Sequence, residues 1–256
     1  MSSRQEQKER LRAQRLAAEA SRAGSERRRL MIGYVIAGVL ALAVLAGLVA
    51  VIASSGGGSK TVNGFQTCSE GHFQLAAGTP PKDAKADCRV GTKPAAIQVG
   101  DLQLAAKEAG CVLKENLPDE GNSHLNPGDP VPAYKTNPPT SGNHITAPFQ
   151  VPDGAYSTMP PPENFVHSLE HGRVEIQYDP KLPQDQQLAI KGVFDEDPDG
   201  MLLFPNPQMP YAVAATAWTQ LVGCPKYSPA VLDVIRDFRD TYRGNGPETQ
   251  VPISLG

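Results

Sequence analysis

Apolar positions are spread unevenly along this chain, and one uninterrupted block dominates the pattern. Leu30–Ala53 is a continuous run rich in Ala, Val, Leu and Ile, and no charged residue occurs from Leu30 to Ser59. About 20 such residues span a bilayer core as a helix, so this block is expected to be a transmembrane helix. A cleaved signal peptide has a shorter apolar stretch, about 7–15 residues. No clear small-residue cleavage site follows here, Val51-Ile52-Ala53 being the nearest match, and an uncleaved anchor is the reading. Beyond it the period changes. Ile97–Ala109 has helical spacing at Leu102, Ala105, Ala106 and Ala109, with Gly110 as its stop. Glu163–Glu170 follows Pro160-Pro161-Pro162, which suits a helix start, and Gly172 suits the left-handed position that ends one. Arg173–Tyr178 alternates Val174, Ile176 and Tyr178 with polar residues, as a strand does. Gln184–Phe194 reads as a helix and Tyr211–Trp218 as a second strand. Pro229–Arg243 is the clearest amphipathic helix. Val231, Leu232, Ile235, Phe238 and Tyr242 share its apolar face, and Arg236, Asp237, Arg239, Asp240 and Arg243 are expected in solvent.

Between these segments, Leu117–Pro162 is dominated by Pro, Gly, Asn and Asp. A loop of that length in a folded domain is disordered or functional, and His124 and His144 within it favour function. The pattern predicts an α+β fold with a small sheet, helices and long Pro/Gly-rich loops, preceded by one transmembrane helix. Along the chain this gives a basic cytoplasmic tail (1–29), the membrane helix (30–53) and a flexible tether (54–60) holding Gly56-Gly57-Gly58. A membrane-proximal disulfide subregion (61–93) and an extracytoplasmic domain (94–256) follow.

Charge fixes the orientation. Met1–Arg29 carries nine basic and four acidic side chains, and the basic flank of a span stays cytoplasmic. The tail is read as a contact with anionic lipid of the inner leaflet. Lys60–Gly256 carries 15 basic and 23 acidic side chains, a net of −8. That balance argues against nucleic acid as a partner, which needs clustered Lys and Arg. No protein or small-molecule partner can be named.

All four cysteines, Cys68, Cys88, Cys111 and Cys224, lie beyond the anchor. An even number in an oxidising compartment points to two disulfides. Of the three pairings, Cys68–Cys88 with Cys111–Cys224 is favoured, buried free thiols being the other reading. No Cys-x-x-Cys is present, which argues against a thioredoxin-type redox site.

The chemistry concentrates in Val166-His167-Ser168-Leu169-Glu170-His171-Gly172. On a helix, His167 and His171 project from one face with Glu170 beside them. Two imidazoles so placed can chelate a transition metal. Four of the five histidines, His124, His144, His167 and His171, cluster in this middle part of the chain. They are the expected ligands of one ion, Cu or Zn, since neutral imidazole suits both. Glu170 would fix an imidazole tautomer or carry a proton. The other reading has each histidine only satisfying the irregular backbone, in a metal-free envelope interaction or scaffold domain. His72, in the membrane-proximal part, is set aside.

His167-x-x-Glu170-His171 also matches the His-x-x-Glu-His string of inverted zinc peptidases. There Glu170 would be the catalytic base on a zinc-bound water, with a distant glutamate such as Glu248 completing the ligands. The stop at Gly172 and the proline-rich chain speak against that fold. Ser141 lacks the Gly-x-Ser-x-Gly elbow, and no phosphate loop or dinucleotide fingerprint occurs. The acidic stretch Asp195–Asp199 lacks EF-hand spacing and reads as a solvated turn.

Two strings stand out together: Asn137-Pro138-Pro139-Thr140-Ser141-Gly142-Asn143-His144 and Val166–Gly172. With them go Ala109-Gly110-Cys111, Glu120–His124, Gly154-Ala155-Tyr156, Ala217-Trp218, Gly223-Cys224 and Gly246-Pro247-Glu248. In these segments the chain resembles a bacterial family catalogued only as domain of unknown function 3105, from about Ile97 to Glu248. The resemblance implies a membrane-anchored or exported domain, often actinobacterial, and supplies no activity. Its pattern includes His124, His144, His167, Glu170 and His171, all kept here. The expectation is therefore a single-pass membrane protein whose external domain binds a metal, with enzymatic activity left open.

Overall fold

The computed structural model of the protein describes residues 59–62, 65–68, 78–248 and 253. Among them no helix is long and apolar enough to cross a membrane. The expected span at 30–53 lies outside the described residues, as do the basic tail, residues 54–58 of the tether and His72.

Ten strands and four helices are formed among the described residues. The described residues open with a hairpin, β1 (Ser59–Val62) against β2 (Phe65–Cys68), so the last residues read as a tether, Ser59 and Lys60, begin a strand. Next come α1 (Leu102–Glu108) and β3 (Val112–Lys114). Three two-residue strands lie within the long loop: β4 (His124–Leu125), β5 (His144–Ile145) and β6 (Gly154–Ala155). They are followed by α2 (Pro162–Glu170), β7 (Val174–Tyr178), α3 (Gln184–Glu196) and β8 (Met201–Pro205). β9 (Val213–Ala217), β10 (Gln220–Cys224) and α4 (Val231–Tyr242) complete the order.

Six strands make one mixed sheet in the order β3-β10-β9-β7-β8-β6. β7 runs parallel to β8 and antiparallel to β9. On one face Val174, Ile176, Met201, Leu203, Val213 and Ala215 pack against α1, α3 and α4. On the other, Leu202 and Phe204 pack against Phe165, Val166 and Leu169 of α2, with Val151, Tyr156 and Trp218. The fold is α+β as expected, with a larger sheet than the sequence suggests.

The additional layer explains most departures. The alternation in β7 predicts one wet face, yet every residue of the strand is buried. Its polar positions pair instead: the Thr216 hydroxyl (3.0 Å) and Gln177 Nε2 (3.1 Å) donate to Glu175 Oε2, and Asn206 Nδ2 donates to Gln177 Oε1 (2.7 Å). Burial pushes the Glu175 carboxyl well above its ordinary range. β8 carries no alternation because both of its faces are buried. The helix expected from Ile97 begins only at Leu102, where the Asp101 side chain accepts from Leu104 N at 2.8 Å and caps it.

The charged side of α4 is only partly in solvent: Asp240 is exposed as expected, whereas Arg236, Asp237 and Arg239 are buried. Arg236 pairs with Glu196 (2.6 Å) and Asp233 (3.1 Å), Arg243 with Asp197 (2.6 Å), and Lys191 with Asp195. The acidic turn after α3 is thus taken up by ion pairs.

Both favoured disulfides are formed, Cys68–Cys88 and Cys111–Cys224. The second joins the start of β3 to the end of β10, its sheet neighbour, and closes a separation of 113 residues. Replacing both Cys111 and Cys224 with Ser should cost about 4 kcal/mol, since a loop that long is expensive to close in the unfolded chain. A denaturant midpoint unchanged from the wild type would contradict this.

Candidate metal centre

The second layer brings together the histidines that the sequence separates. β4 and β5 pair in parallel, with His124 and His144 as direct partners and Leu125 opposite Ile145. Their ladder uses His144 N to Ser123 O (3.1 Å) and Thr146 N to Leu125 O (2.9 Å). Asn143 Oδ1 accepts from Ser123 N at 3.0 Å, and the Tyr134 hydroxyl donates to Asn143 O at 2.9 Å. The two loops are therefore locked in register.

Beneath them lies α2, started by Pro162 in its first turn and ended by a Schellman motif. Gly172 N donates to Leu169 O (2.9 Å) and Arg173 N to Ser168 O (3.1 Å), with Gly172 at φ +76°. This stop gives His171 the last position from which it can still face His167. Their Nε2 atoms are 3.2 Å apart. Two ligands of one ion can stand that close when each metal–N distance is about 2 Å. Ser168 anchors the helix by donating to Val151 O at 2.8 Å.

The rings form a tight set. Centroids of His124, His144 and His167 lie 4.7 to 5.0 Å apart pairwise, and His171 is 4.5 Å from His167. His144 and Glu170 are fully buried and His167 and His171 nearly so, whereas the His124 side chain is 40 % exposed. Ligand atoms of His124, His144, His167 and Glu170 lie within 4.8 Å of one another, and those of Glu170, His171 and Glu248 form a second such group. All four expected histidines are in the cluster. Glu170, expected behind them, stands among the ligand atoms, and Glu248 adjoins it.

Two backbone carbonyls set the tautomers. His144 Nδ1 lies 2.8 Å from Gly142 O, and His167 Nδ1 lies 2.5 Å from Ile145 O. A carbonyl only accepts, so each Nδ1 carries a proton and each Nε2 is turned inward. His144 Nε2 meets Glu170 Oε2 at 2.9 Å, and His124 Nε2 approaches the same oxygen at 3.5 Å. Glu170 Oε1 is buried with no hydrogen-bond partner among the described residues. The 2.9 Å contact needs one proton between His144 Nε2 and Glu170 Oε2, and a bound cation would take that proton's place.

Burial and the crowding of these groups shift their protonation. Burial, then the neighbouring His144, His171 and His124, lowers His167 to about 3, only partly opposed by its bond to Ile145. Burial and the Arg173 guanidinium lower His171, against Glu170 and Glu248. Burial alone would raise Glu170, but its bond with His144 and the surrounding imidazoles hold it below the ordinary carboxylate range. Arg173, a residue the sequence did not single out, supports the helix end from beneath. Its Nε donates to Asp153 (2.9 Å) and its Nη1 to His171 O (3.1 Å).

The family described as Protein of unknown function (DUF3105) matches residues 124–254, half of the chain, and the match takes in the whole cluster from His124 to Glu248. No curated protein and no solved structure matches the chain.

The lowered His167 carries a stability consequence. Unfolded, it binds a proton below about 6.5; folded, it resists until about 3. The unfolded state therefore holds more protons in that window, and stability is full above it and falls with pH through it. His171 and Glu170 shift in the same sense. Chelator-treated protein should lose stability between pH 6.5 and 3. One such group contributes a slope of about 1.4 kcal/mol per pH unit. Urea midpoints across that range, compared with His167→Phe, measure this slope; one equally steep in the variant would contradict it.

Proposed function

The chain belongs to the DUF3105 family, whose description carries no activity, and on that premise we propose that its folded part is a transition-metal-binding domain held outside the cell membrane. The ion is Zn or Cu, bound by His124, His144, His167 and Glu170, with His171 alongside. The single observation carrying this reading is the pair of Nδ1–H bonds from His144 and His167 to backbone carbonyls. Ligating histidines are oriented in this way, the outer nitrogen donating so that the inner one faces the metal. The unpartnered Glu170 Oε1 supports it too, since a buried carboxylate oxygen without a donor is costly unless a cation satisfies it.

The donor chemistry narrows the ion. Imidazole and carboxylate without thiolate suit Zn(II) or Cu(II), whereas Cu(I) prefers sulfur. Three imidazoles and one carboxylate would complete a tetrahedron. Glu170, bonded to His144 and buried, is better placed to ligate or orient than to act as the free base of a hydrolase. The ligand set of the peptidase reading is nonetheless close together, His171 Nε2 standing 3.2 Å from His167 Nε2 and 3.5 Å from Glu248 Oε2, so that reading stays second.

Location rests on other features. Two disulfides fit an oxidising compartment. The charge-free run 30–53 after a basic tail fits a single span with the N-terminus inside and the tail on anionic lipid. The acidic external part fits a domain that does not bind nucleic acid. Deleting residues 1–53 should move the protein from the membrane fraction to the soluble one; retention in the membrane would refute the anchor.

Full-length protein in detergent should retain at least one equivalent of Zn or Cu in elemental analysis. At a free metal concentration about 100 times Kd, binding should add about 2.7 kcal/mol, removed by chelator. His144→Ala and His167→Ala should lose both the metal and the chelator response. A metal-free scaffold would show no retained ion and a melting temperature indifferent to chelator.

A further inference from the structure

We propose that the cluster is built for two ions, with Glu170, His171 and Glu248 forming a second metal position beside the first. The inference rests on the metal-binding reading above and extends it. Three independent features point to it.

The ligand atoms of Glu170, His171 and Glu248 lie within 4.8 Å of one another. His171 Nε2 stands 3.5 Å from Glu248 Oε2. His171 is thus turned to a carboxylate of its own as well as to His167.

Glu170 belongs to both groups, and its two oxygens are unequally used. Oε2 meets His144 and His124, while Oε1 is buried and has no partner among the described residues. A carboxylate in that state can bridge, giving one oxygen to each ion, and carboxylate-bridged metal pairs sit about 3.5–4 Å apart.

Glu248 is delivered by construction. Gly244 N donates to Gly172 O (2.8 Å) and Glu248 N to Glu170 O (3.0 Å), so residues 244–248 are strapped across the C-terminal end of α2. The strap runs too close for a side chain at its centre: a Cβ on Gly246 would stand 2.2 Å from Glu170 O and 2.3 Å from Gly172 N. Two backbone bonds and a steric requirement for glycine thus place one carboxylate beside His171. No apolar packing of the Glu248 side chain explains this, since that side chain is 51 % exposed.

The positions would differ in chemistry. The first has four protein ligands and is closed. The second has three, which leaves a tetrahedral position open on the side where Glu248 meets solvent. Two divalent ions against two carboxylates also leave positive charge over, so water or a small anion would fill the opening.

The test uses full-length protein in detergent, loaded with ZnCl2 or CuCl2, desalted, and assayed for metal per chain, with circular dichroism as the check on folding. Wild type should hold two ions, and Glu248→Ala and His171→Ala one each; Glu248→Ala removes only a half-exposed side chain and leaves the strap intact. With copper, the wild-type paramagnetic resonance signal should integrate to well below its metal content through coupling of the pair, and recover to full intensity in Glu248→Ala. One ion in wild type, unchanged in Glu248→Ala, would overturn the second position and leave the first standing. Two ions in both would overturn the assignment of Glu248. No retained ion would overturn the metal-binding reading itself.

Discussion

The carbonyl oxygens of Gly142 and Ile145 each accept a proton from a buried imidazole, and these two hydrogen bonds govern the chemistry of the residues around them. By fixing a proton on Nδ1 they turn Nε2 of His144 and of His167 inward, toward the Glu170 carboxylate. Ring nitrogens in water choose their tautomer freely; these cannot. The result is a concentration of ligand atoms in a dry place, a costly arrangement without a cation.

The rest of the fold can be understood as the support for that arrangement. The sheet buries Phe165, Val166 and Leu169 of α2 on one face, so the helix cannot rotate and His167, Glu170 and His171 keep their direction. The Schellman end stops the helix one residue after Glu170 and lets the 244–248 strap cross it. The parallel β4–β5 bridge delivers the two loop histidines as partners. Most of these supports are backbone hydrogen bonding or apolar packing, joined by the Ser168 and Arg173 side chains at α2 and by Asn143 between the loops. His124 and Glu248, the two exposed members, are where the cluster meets solvent.

Much of this was legible in the sequence, for a physical reason. The helical period alone puts His167 and His171 on one face, and Gly172 announces the stop. The convergence of His124 and His144 was expected only from their number and nearness along the chain. The two-residue strands that pair them have no periodicity to read. β8 escaped because both its faces are buried, which erases alternation. The charges of α4 looked solvated because their partners Glu196 and Asp197 lie far away in sequence. Glu248 was expected beside the paired histidines only by way of the peptidase string, because its place depends on how the chain returns across α2, which a local pattern does not carry. The anchor at 30–53 was read from its apolar length and lies outside the described residues.

The most direct measurement is X-ray absorption at the zinc or copper edge of the metal-loaded full-length protein. The expected result is a shell of nitrogen and oxygen at about 2.0 Å. Outer scattering from several imidazoles should accompany it and weaken in His144→Ala. A spectrum lacking imidazole scattering, or one untouched by that substitution, would contradict a metal held by this cluster.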